Sequence, residues 1–138
     1  LLIVVRGMIL IHTFPVVKAL VPMAINQDLK AITPSPKLNI DFLAWLLRGS
    51  SRETLSRLDE AGHGTKVLRI DAWTSMALPI PPVGEQLEIV ASIVDGLAKL
   101  DLLTAEAQRA IDLLQERRTA LISAAVTGQI DVRTPDWT

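Results

Sequence analysis

Length, composition and charge exclude several classes of protein. The chain has 138 residues, of which 49% are apolar, so it can bury a core and is not a disordered chain. It contains no cysteine, which excludes disulfides and thiolate metal sites and leads us to expect a reducing cytoplasm. The net charge is −1. Arg6, His12 and Lys18 interrupt the longest apolar stretches, so we expect no membrane span. We expect no signal peptide, because no basic region precedes the apolar run and no small-residue cleavage site follows it.

Residues 1–83 consist of short apolar segments between turns, which predicts a small mixed domain. Leu1 to Val5 and Met8 to Ile11 are aliphatic runs that predict strands joined at Gly7. Lys66 to Ile70 alternates as a further strand does. Prolines keep the intervening elements short, at Pro15, Pro22, Pro34 and Pro36.

Two short helices are predicted between these strands. Asp41 is a suitable N-cap for a helix from Phe42 to Arg48, which Gly49 would end. A second helix is expected from about Ser51 to Ala61. Their inward faces are expected to carry Phe42, Trp45, Leu46, Leu55 and Leu58. We expect Trp73 and Trp45 to belong to the core.

One long helix follows, from Gly84 to Thr127. This segment contains no proline, Pro81 and Pro82 lie just before it, and Gly128 follows it. The predicted fold class is therefore α+β, a small mixed α/β domain of residues 1–83 followed by one long helix of residues 84–128 and a tail of residues 129–138.

An apolar seam along this helix predicts a coiled coil. Steps of three and four residues connect Val90, Ile93, Leu97, Leu100, Thr104, Ala107, Ile111, Leu114, Arg118, Leu121 and Ala125. Such a seam needs a second helix to cover it. Arg118 on the seam either packs its stem while its guanidinium reaches water, with no other role, or fixes the register of the pair.

Charge is unevenly distributed between the two parts. Residues 1–83 carry nine basic and six acidic residues, a net charge of +3, and the remainder carries a net charge of −4. This asymmetry suits a nucleic-acid-facing domain on a protein-facing helix. Arg6, Lys18 and Lys30 are candidate phosphate contacts, each adding affinity without selectivity.

Two amides and one glycine-flanked loop are further candidates for DNA contact. Asn26 and Gln27 can pair with an adenine edge, or can instead tie a turn through backbone hydrogen bonds. Two hypotheses remain for the loop around Gly62 and Gly64. It either contacts a DNA phosphate or is an ordinary solvated loop. The loop's candidates are His63, Thr65 and Lys66.

No constellation of catalytic residues is recognisable in the sequence. There is no phosphate-binding glycine loop and no nucleophile paired with a histidine. His12, inside an apolar run, is expected to be a core or strand histidine and not a metal ligand. We therefore expect no catalytic residue and no metal site.

Five segments resemble the DNA specificity subunits of type I restriction-modification systems. LPIPPVGEQLEIV (Leu78–Val90) resembles the family's boundary between a target recognition domain and its long conserved helix, and LQERRTALISAAVTGQIDV (Leu114–Val132) resembles the end of that helix. AINQDLKAI (Ala24–Ile32) and the pair LLIVVRG and GHGTKVLRI are looser matches within a recognition domain.

The resemblance implies a non-catalytic, cytoplasmic subunit of a prokaryote. In such a subunit two recognition domains each read half of a split site in double-stranded DNA, and two conserved helices pair antiparallel between them. Methyltransferase subunits, which bring S-adenosylmethionine, clamp the helices, and restriction subunits that use ATP and Mg join indirectly. This chain holds part of one recognition domain and one helix, so we expect a fragment whose second helix comes from the missing half or from another copy.

Two other hypotheses remain open from the sequence. The chain can be a coiled-coil oligomerisation or scaffold module without a nucleic-acid role. Alternatively, two copies can pair antiparallel and rebuild a two-site subunit.

Overall fold

Two small antiparallel sheets precede one long helix in the computed structural model, which describes residues 1–60 and 64–131. The strands are β1 (Leu2–Val4), β2 (Arg6–Gly7), β3 (Val16–Val17), β4 (Leu29–Ala31), β5 (Leu58–Glu60) and β6 (Lys66–Leu68). The α-helices are α1 (Ile40–Gly49), α2 (Ser51–Leu55), α3 (Ile70–Thr74) and α4 (Val83–Val126). The expected α+β class is confirmed.

Val5 connects the two sheets. The first sheet has the order β3-β1-β4 and the second has the order β2-β6-β5, with antiparallel pairing throughout. Val5 lies between β1 and β2, where its amide donates to the carbonyl of Asp28 at 2.8 Å and its carbonyl accepts from the amide of Leu68 at 2.8 Å. Both backbone groups of this buried residue are thus paired, one toward each sheet.

The core lies between the sheets and α1. Its buried members are aliphatic except for Phe14, whose ring lies 6.1 Å from that of Trp73. The indole nitrogen of Trp73 donates to the hydroxyl of the fully buried Thr54 at 3.2 Å. Trp73 packs against the core as predicted. The core cluster comprises Leu1, Ile3, Val5, Leu10, Phe14, Val16, Leu43, Ala44, Leu47 and Leu68.

The second predicted strand is wrong, because Met8–Ile11 forms a 3-10 helix. Gly7 has a φ of 148°, a conformation that favours glycine, and it turns the chain out of β2. Only Leu10 of the turn is buried, while Met8, Ile9 and Ile11 are exposed. His12 follows the turn and is exposed, so the prediction of a core histidine is wrong as well.

The predicted cap of α1 is shifted by two residues. Asn39, not Asp41, caps the helix, because its side-chain oxygen accepts from the amides of Asp41 at 2.9 Å and Phe42 at 3.0 Å. Trp45 and Leu46 are only half-buried, which corrects the predicted inward face. The buried residues of α1 are Phe42, Leu43, Ala44 and Leu47.

The next predicted helix and strand are each shorter than expected. The helix α2 ends at Leu55, and Leu58–Glu60 instead forms β5, which pairs with β6. Pairing between strands therefore replaces the second half of the predicted helix. The strand predicted from Lys66 ends at Leu68, and α3 begins at Ile70.

The long helix α4 lies within one residue of its predicted bounds at each end. Gly128 has a φ of 74°, and the amide of Gln129 donates to the carbonyl of Ala124 at 2.8 Å, as in a glycine-terminated helix. The chain forms two compact units, one from Leu1 to Ile93 and one that begins at Val94. None of the helices in the described ranges combines the length and hydropathy that crossing a membrane requires.

Candidate nucleic-acid interface and helix-pairing surface

The hydrogen bonds of Val5 bring several of the candidate DNA contacts close to one another. Its amide holds the carbonyl of Asp28, which follows Asn26 and Gln27 in the chain. Arg6 comes directly after Val5, at the start of β2. On the neighbouring strand β6, Lys66 lies opposite Gly7. The Asn26 turn, Arg6 and Lys66 therefore surround the junction between the two sheets.

Asn26 has a structural role in this junction. Its side-chain oxygen accepts from the amide of Asp28 at 3.1 Å, and its side-chain nitrogen donates to the carboxylate of Asp28 at 3.4 Å. These are the bonds of an Asx turn, which leave its oxygen already used. The turn is one of the two alternatives for this residue, and a DNA contact of Asn26 stays a prediction.

Gln27 and Lys30 are two candidates whose side-chain polar groups have no partner among the described residues. Gln27 is exposed, and its amide makes no hydrogen bond to any described residue. Lys30 is exposed on β4, an edge strand of the first sheet, and forms no ion pair within residues 1–60 and 64–131. An amide and an ammonium three residues apart thus face solvent at the junction.

Arg6 and Lys66 differ in their exposure and in whether an acidic side chain already pairs with them. Arg6 is exposed and has no acidic partner in the part of the chain that the structure describes. Lys66 is half-buried, and its ammonium lies 3.3 Å from the carboxylate of Glu60. An ion pair at a surface contributes little free energy, so a phosphate can compete with Glu60 for this lysine.

Lys18 lies outside this group. Its ammonium donates to the carboxylate of Asp41 at 2.7 Å, which joins the chain after β3 to the first turn of α1. The two side chains are 40% and 46% exposed, so the pair is solvated. Thr65 is half-buried just before β6, and His63 lies outside the described residues.

Arg48 has a structural role that we did not predict. Its guanidinium donates twice to the carbonyl of Val16, at 3.0 and 3.3 Å, and lies 4.8 Å from the ring centroid of Trp45. It thereby joins the last turn of α1 to the edge strand β3. No sequence signal pointed to it beyond the frequency of basic residues at helix C-termini.

Arg69 and Asp71 form an exposed pair beside α3. The guanidinium of Arg69 donates to the Asp71 carboxylate at 3.0 Å, and this hydrogen bond lowers the pKa of the Asp71 carboxyl. The same hydrogen bond raises the pKa of Arg69. Asp59 lies 3.6 Å from Arg69, so this cation faces two carboxylates and is a poor candidate for a phosphate contact.

The seam of α4 is largely uncovered. Val90 and Ile93 are half-buried, whereas the rest of its large aliphatic side chains are exposed, with values of 39% for Leu97, 65% for Leu114 and 41% for Leu121. Arg118 is exposed and makes no ion pair with the described residues. Asp95 and Lys99, one helical turn apart on α4, form an exposed ion pair at 2.7 Å.

Two exposed leucines of α4 that lie away from the seam were not predicted. Leu102 and Leu113 are 64% and 65% exposed. Each lies two residues after a seam position, about 200° around the helix, and therefore on the opposite side. The sequence signal existed, because Leu102 and Leu113 are 11 residues apart, about three turns, and share one face.

Within the described ranges, no three histidine, aspartate or glutamate side chains converge as metal ligands.

A curated protein supports the resemblance that the motifs predict. The chain is 28% identical over 102 residues to the type I restriction enzyme EcoR124I/EcoR124II specificity subunit of Escherichia coli. The match covers 74% of this chain and 24% of that subunit, so the chain spans about a quarter of the length of this relative. No family model matches the chain. No solved structure matches it either. The resemblance to the specificity subunits of type I restriction enzymes is therefore confirmed.

Proposed function

We propose that this chain is a DNA recognition segment of a type I restriction specificity subunit. In this proposal residues 1–83 contact double-stranded DNA, residues 84–128 form the helix that docks other subunits, and residues 129–138 form a tail. The observation that supports it most strongly is the identity of 28% over 102 residues with a specificity subunit, a stretch too long to lie within either part alone.

The DNA-contacting surface is proposed to lie at the junction of the two sheets. Arg6, Lys30 and Lys66 would meet phosphates there, while Gln27 offers an amide that can donate to and accept from an adenine edge. Asn26 shapes the turn that presents Gln27. Thr65, His63 and Lys18 are secondary candidates for the same surface.

The seam of α4 is proposed to pair with a second long helix, from another part of the subunit or from another copy. Each exposed aliphatic side chain that becomes buried there would contribute about 1.5–3 kcal/mol. The opposite face, with Leu102 and Leu113, would contact methyltransferase subunits, through which the restriction subunit joins. These partners would hold S-adenosylmethionine, ATP and Mg, and this chain would contribute no catalytic group.

Fluorescence anisotropy with a random-sequence DNA duplex tests the proposed DNA surface. The chain, assembled with the methyltransferase subunits of its system, is compared with its Lys30→Ala variant over a series of salt concentrations. We expect weaker binding and a salt slope smaller by about one, because one phosphate contact is lost. Lys99→Ala, which removes an exposed lysine from α4, is the matched control and should leave both quantities unchanged. An unchanged slope in Lys30→Ala would contradict the assigned surface.

A coiled-coil module without a nucleic-acid role is the second candidate, favoured by the exposed seam of α4. Heparin chromatography separates the two. The DNA-binding proposal requires retention that weakens with salt and with charge removal at Arg6 and Lys30, whereas a scaffold module would elute early under all conditions.

Self-pairing of two copies through α4 would rebuild a subunit with two recognition domains. The exposed seam of a single chain also supports this arrangement. Light scattering at micromolar concentration distinguishes it, because a monomeric mass would exclude a pair that forms without other subunits.

A further inference from the structure

Gln86 is the one buried residue among the 44 residues of α4. Its side chain is 0% exposed, although it lies only three residues after Val83, where the helix begins. Polar side chains in the first turn of a helix usually face solvent, and glutamine is rarely buried. A fully buried amide at this place therefore needs a physical explanation.

Every hydrogen-bonding atom of this amide is paired across the fold. Its oxygen accepts from the backbone amide of Asn39 at 2.8 Å. Its nitrogen donates to the carbonyl of Lys37 at 3.0 Å and to the carbonyl of Pro81 at 2.8 Å. Asn39 is also the N-cap of α1, so one side chain connects the cap of α1 with the first turn of α4.

Little else holds the first turns of α4 in place. A groove of about 450 Å³ lies beside them, lined by Phe42, Leu46, Pro79, Ile80, Pro81, Glu85 and Ile89. Ile80, Val83 and Leu87 are 56%, 41% and 51% exposed, and the next aliphatic residues of the helix, Ile89 and Val90, are only half-buried. Apolar packing at this point is thus incomplete, and the amide supplies the direct connection.

We propose that Gln86 is a positioning residue that fixes the first turns of α4 on the recognition domain. This inference rests on the proposed function, because fixing the helix matters where a domain that reads DNA is carried by a helix that docks other subunits. The amide is suited to this role because its bonds are directional. An apolar side chain of the same size would fill the site without selecting one orientation of the helix.

Pulsed electron–electron double resonance, which measures the distance between two spin labels, tests the proposal on the whole chain. The sequence contains no cysteine, so spin labels can be placed at Arg52→Cys on α2 and Ala91→Cys on α4, both exposed. A second pair, Arg52→Cys with Thr13→Cys, reports on the domain alone. Gln86→Met removes all three hydrogen bonds at similar volume, and Gln115→Met, at an exposed glutamine of α4, is the matched control.

We expect Gln86→Met to broaden the distance distribution of the pair that spans α2 and α4 and to leave the reference pair unchanged. Hydrogen exchange of the Asn39 amide should accelerate by roughly 5- to 100-fold, the range expected when a buried donor loses its acceptor. An unchanged distribution for the spanning pair would overturn the proposal. Broadening of both pairs would overturn it too, since Gln86 would then only support the domain as a whole.

Gln86→Glu adds a readout that depends on pH. The new carboxylate would face the carbonyls of Lys37 and Pro81, both acceptors, and burial would raise its pKa. A raised pKa in the folded state means that burying the ionised carboxylate costs free energy at neutral pH. This cost disappears as the pH falls below the usual carboxyl range, because the carboxyl group is then protonated in both states. The broadening in Gln86→Glu should therefore diminish on acidification, while that in Gln86→Met should not. Equal behaviour of the two variants would contradict the proposed hydrogen bonds.

These measurements need no DNA and no other subunit. If Gln86 positions the helix but the chain does not bind DNA, the proposed function fails and the positioning role stands. If the chain binds DNA through Lys30 and the Gln86 variants show no broadening, only the positioning role fails.

Discussion

Single polar side chains connect the elements of residues 1–83, and the sequence only partly predicts which ones do so. Asn39 and Asp41 are equally good capping residues, and their sequence context does not separate them. In the fold Asn39 is the cap, and its own backbone amide donates to the side chain of Gln86, 47 residues away in the chain. A contact between residues so far apart in the chain cannot be predicted from local capping preferences.

Arg48 provides a prediction at the scale of one residue. Arg48→Lys keeps the charge but loses the paired donation to Val16 and the guanidinium that lies over the Trp45 ring. We expect the free energy of unfolding of residues 1–83 within the whole chain to fall by about 1 kcal/mol. Urea unfolding followed by tryptophan fluorescence measures this loss.

The matched control for Arg48 is Arg52→Lys. Arg52 is exposed on α2 and forms no ion pair within the described residues, so its replacement should leave the unfolding midpoint unchanged. Equal midpoints for Arg48→Lys and the parent chain would show that the contacts of Arg48 do not stabilise the fold.

Asp71 provides a prediction about pH. Hydrogen bonding from Arg69 lowers its pKa, so the folded state binds this proton less tightly than the unfolded state does. This exposed pair therefore makes only a small contribution to stability above the usual carboxyl range, and that contribution is lost as the pH falls through the lowered pKa. Carbon-detected NMR titration should find the Asp71 carboxyl titrating below the ordinary range of an aspartate.

Arg69→Ala should return the Asp71 pKa to its ordinary range. The pair is fully exposed, so we expect a shift in titration and little change in stability. A titration of Asp71 that is the same with and without Arg69 would exclude the hydrogen bond as the cause.

At the scale of elements, the length of a periodic pattern separates what the sequence predicts from what it does not. The long helix was predicted to within one residue at each end, because its repeat extends over many turns. Met8–Ile11 has only four residues, too few to distinguish a strand from a 3-10 turn by periodicity. The segment forms a 3-10 turn that follows the positive φ of Gly7 and buries Leu10.

The two faces of α4 provide a prediction at the scale of this element. Leu100→Lys with Leu114→Lys places charges on the seam, and Leu102→Lys with Leu113→Lys places the same number on the opposite face. We expect the seam variant to abolish helix pairing, since a lysine at a buried seam position must be desolvated. The opposite-face variant should retain pairing and lose the methyltransferase subunits.

Analytical ultracentrifugation and co-purification with the methyltransferase subunits measure these two outcomes separately. Circular dichroism controls for helix content, because lysine is a good helix former and should not unfold α4. Loss of both interactions in both variants would show that α4 has one binding surface and not two.

At the scale of the whole molecule, the sequence predicted two parts with opposite charge, yet it could not show which charges are free. Residues 1–83 have a net charge of +3. The structure places Lys18 against Asp41, Lys66 against Glu60 and Arg69 between two acids. Ion pairing depends on which strands lie side by side. Only the structure therefore shows that the candidates Arg6, Gln27 and Lys30 have no side-chain partner among the described residues.

In the assembled molecule we expect Lys30 to contribute to DNA affinity and Gln27 to contribute to sequence selectivity. Lys30→Ala should weaken binding to every duplex by a similar factor and reduce the salt slope, since an ammonium contacts phosphate regardless of sequence. Gln27→Ala should keep the salt slope and reduce discrimination at one base pair, with a cost of about 1–3 kcal/mol on the preferred sequence. Selection from a random duplex library with each variant measures both effects. A Gln27→Ala variant that selects the same sequences as the parent would show that this amide does not read a base, and the junction of the two sheets would then contact only the DNA backbone.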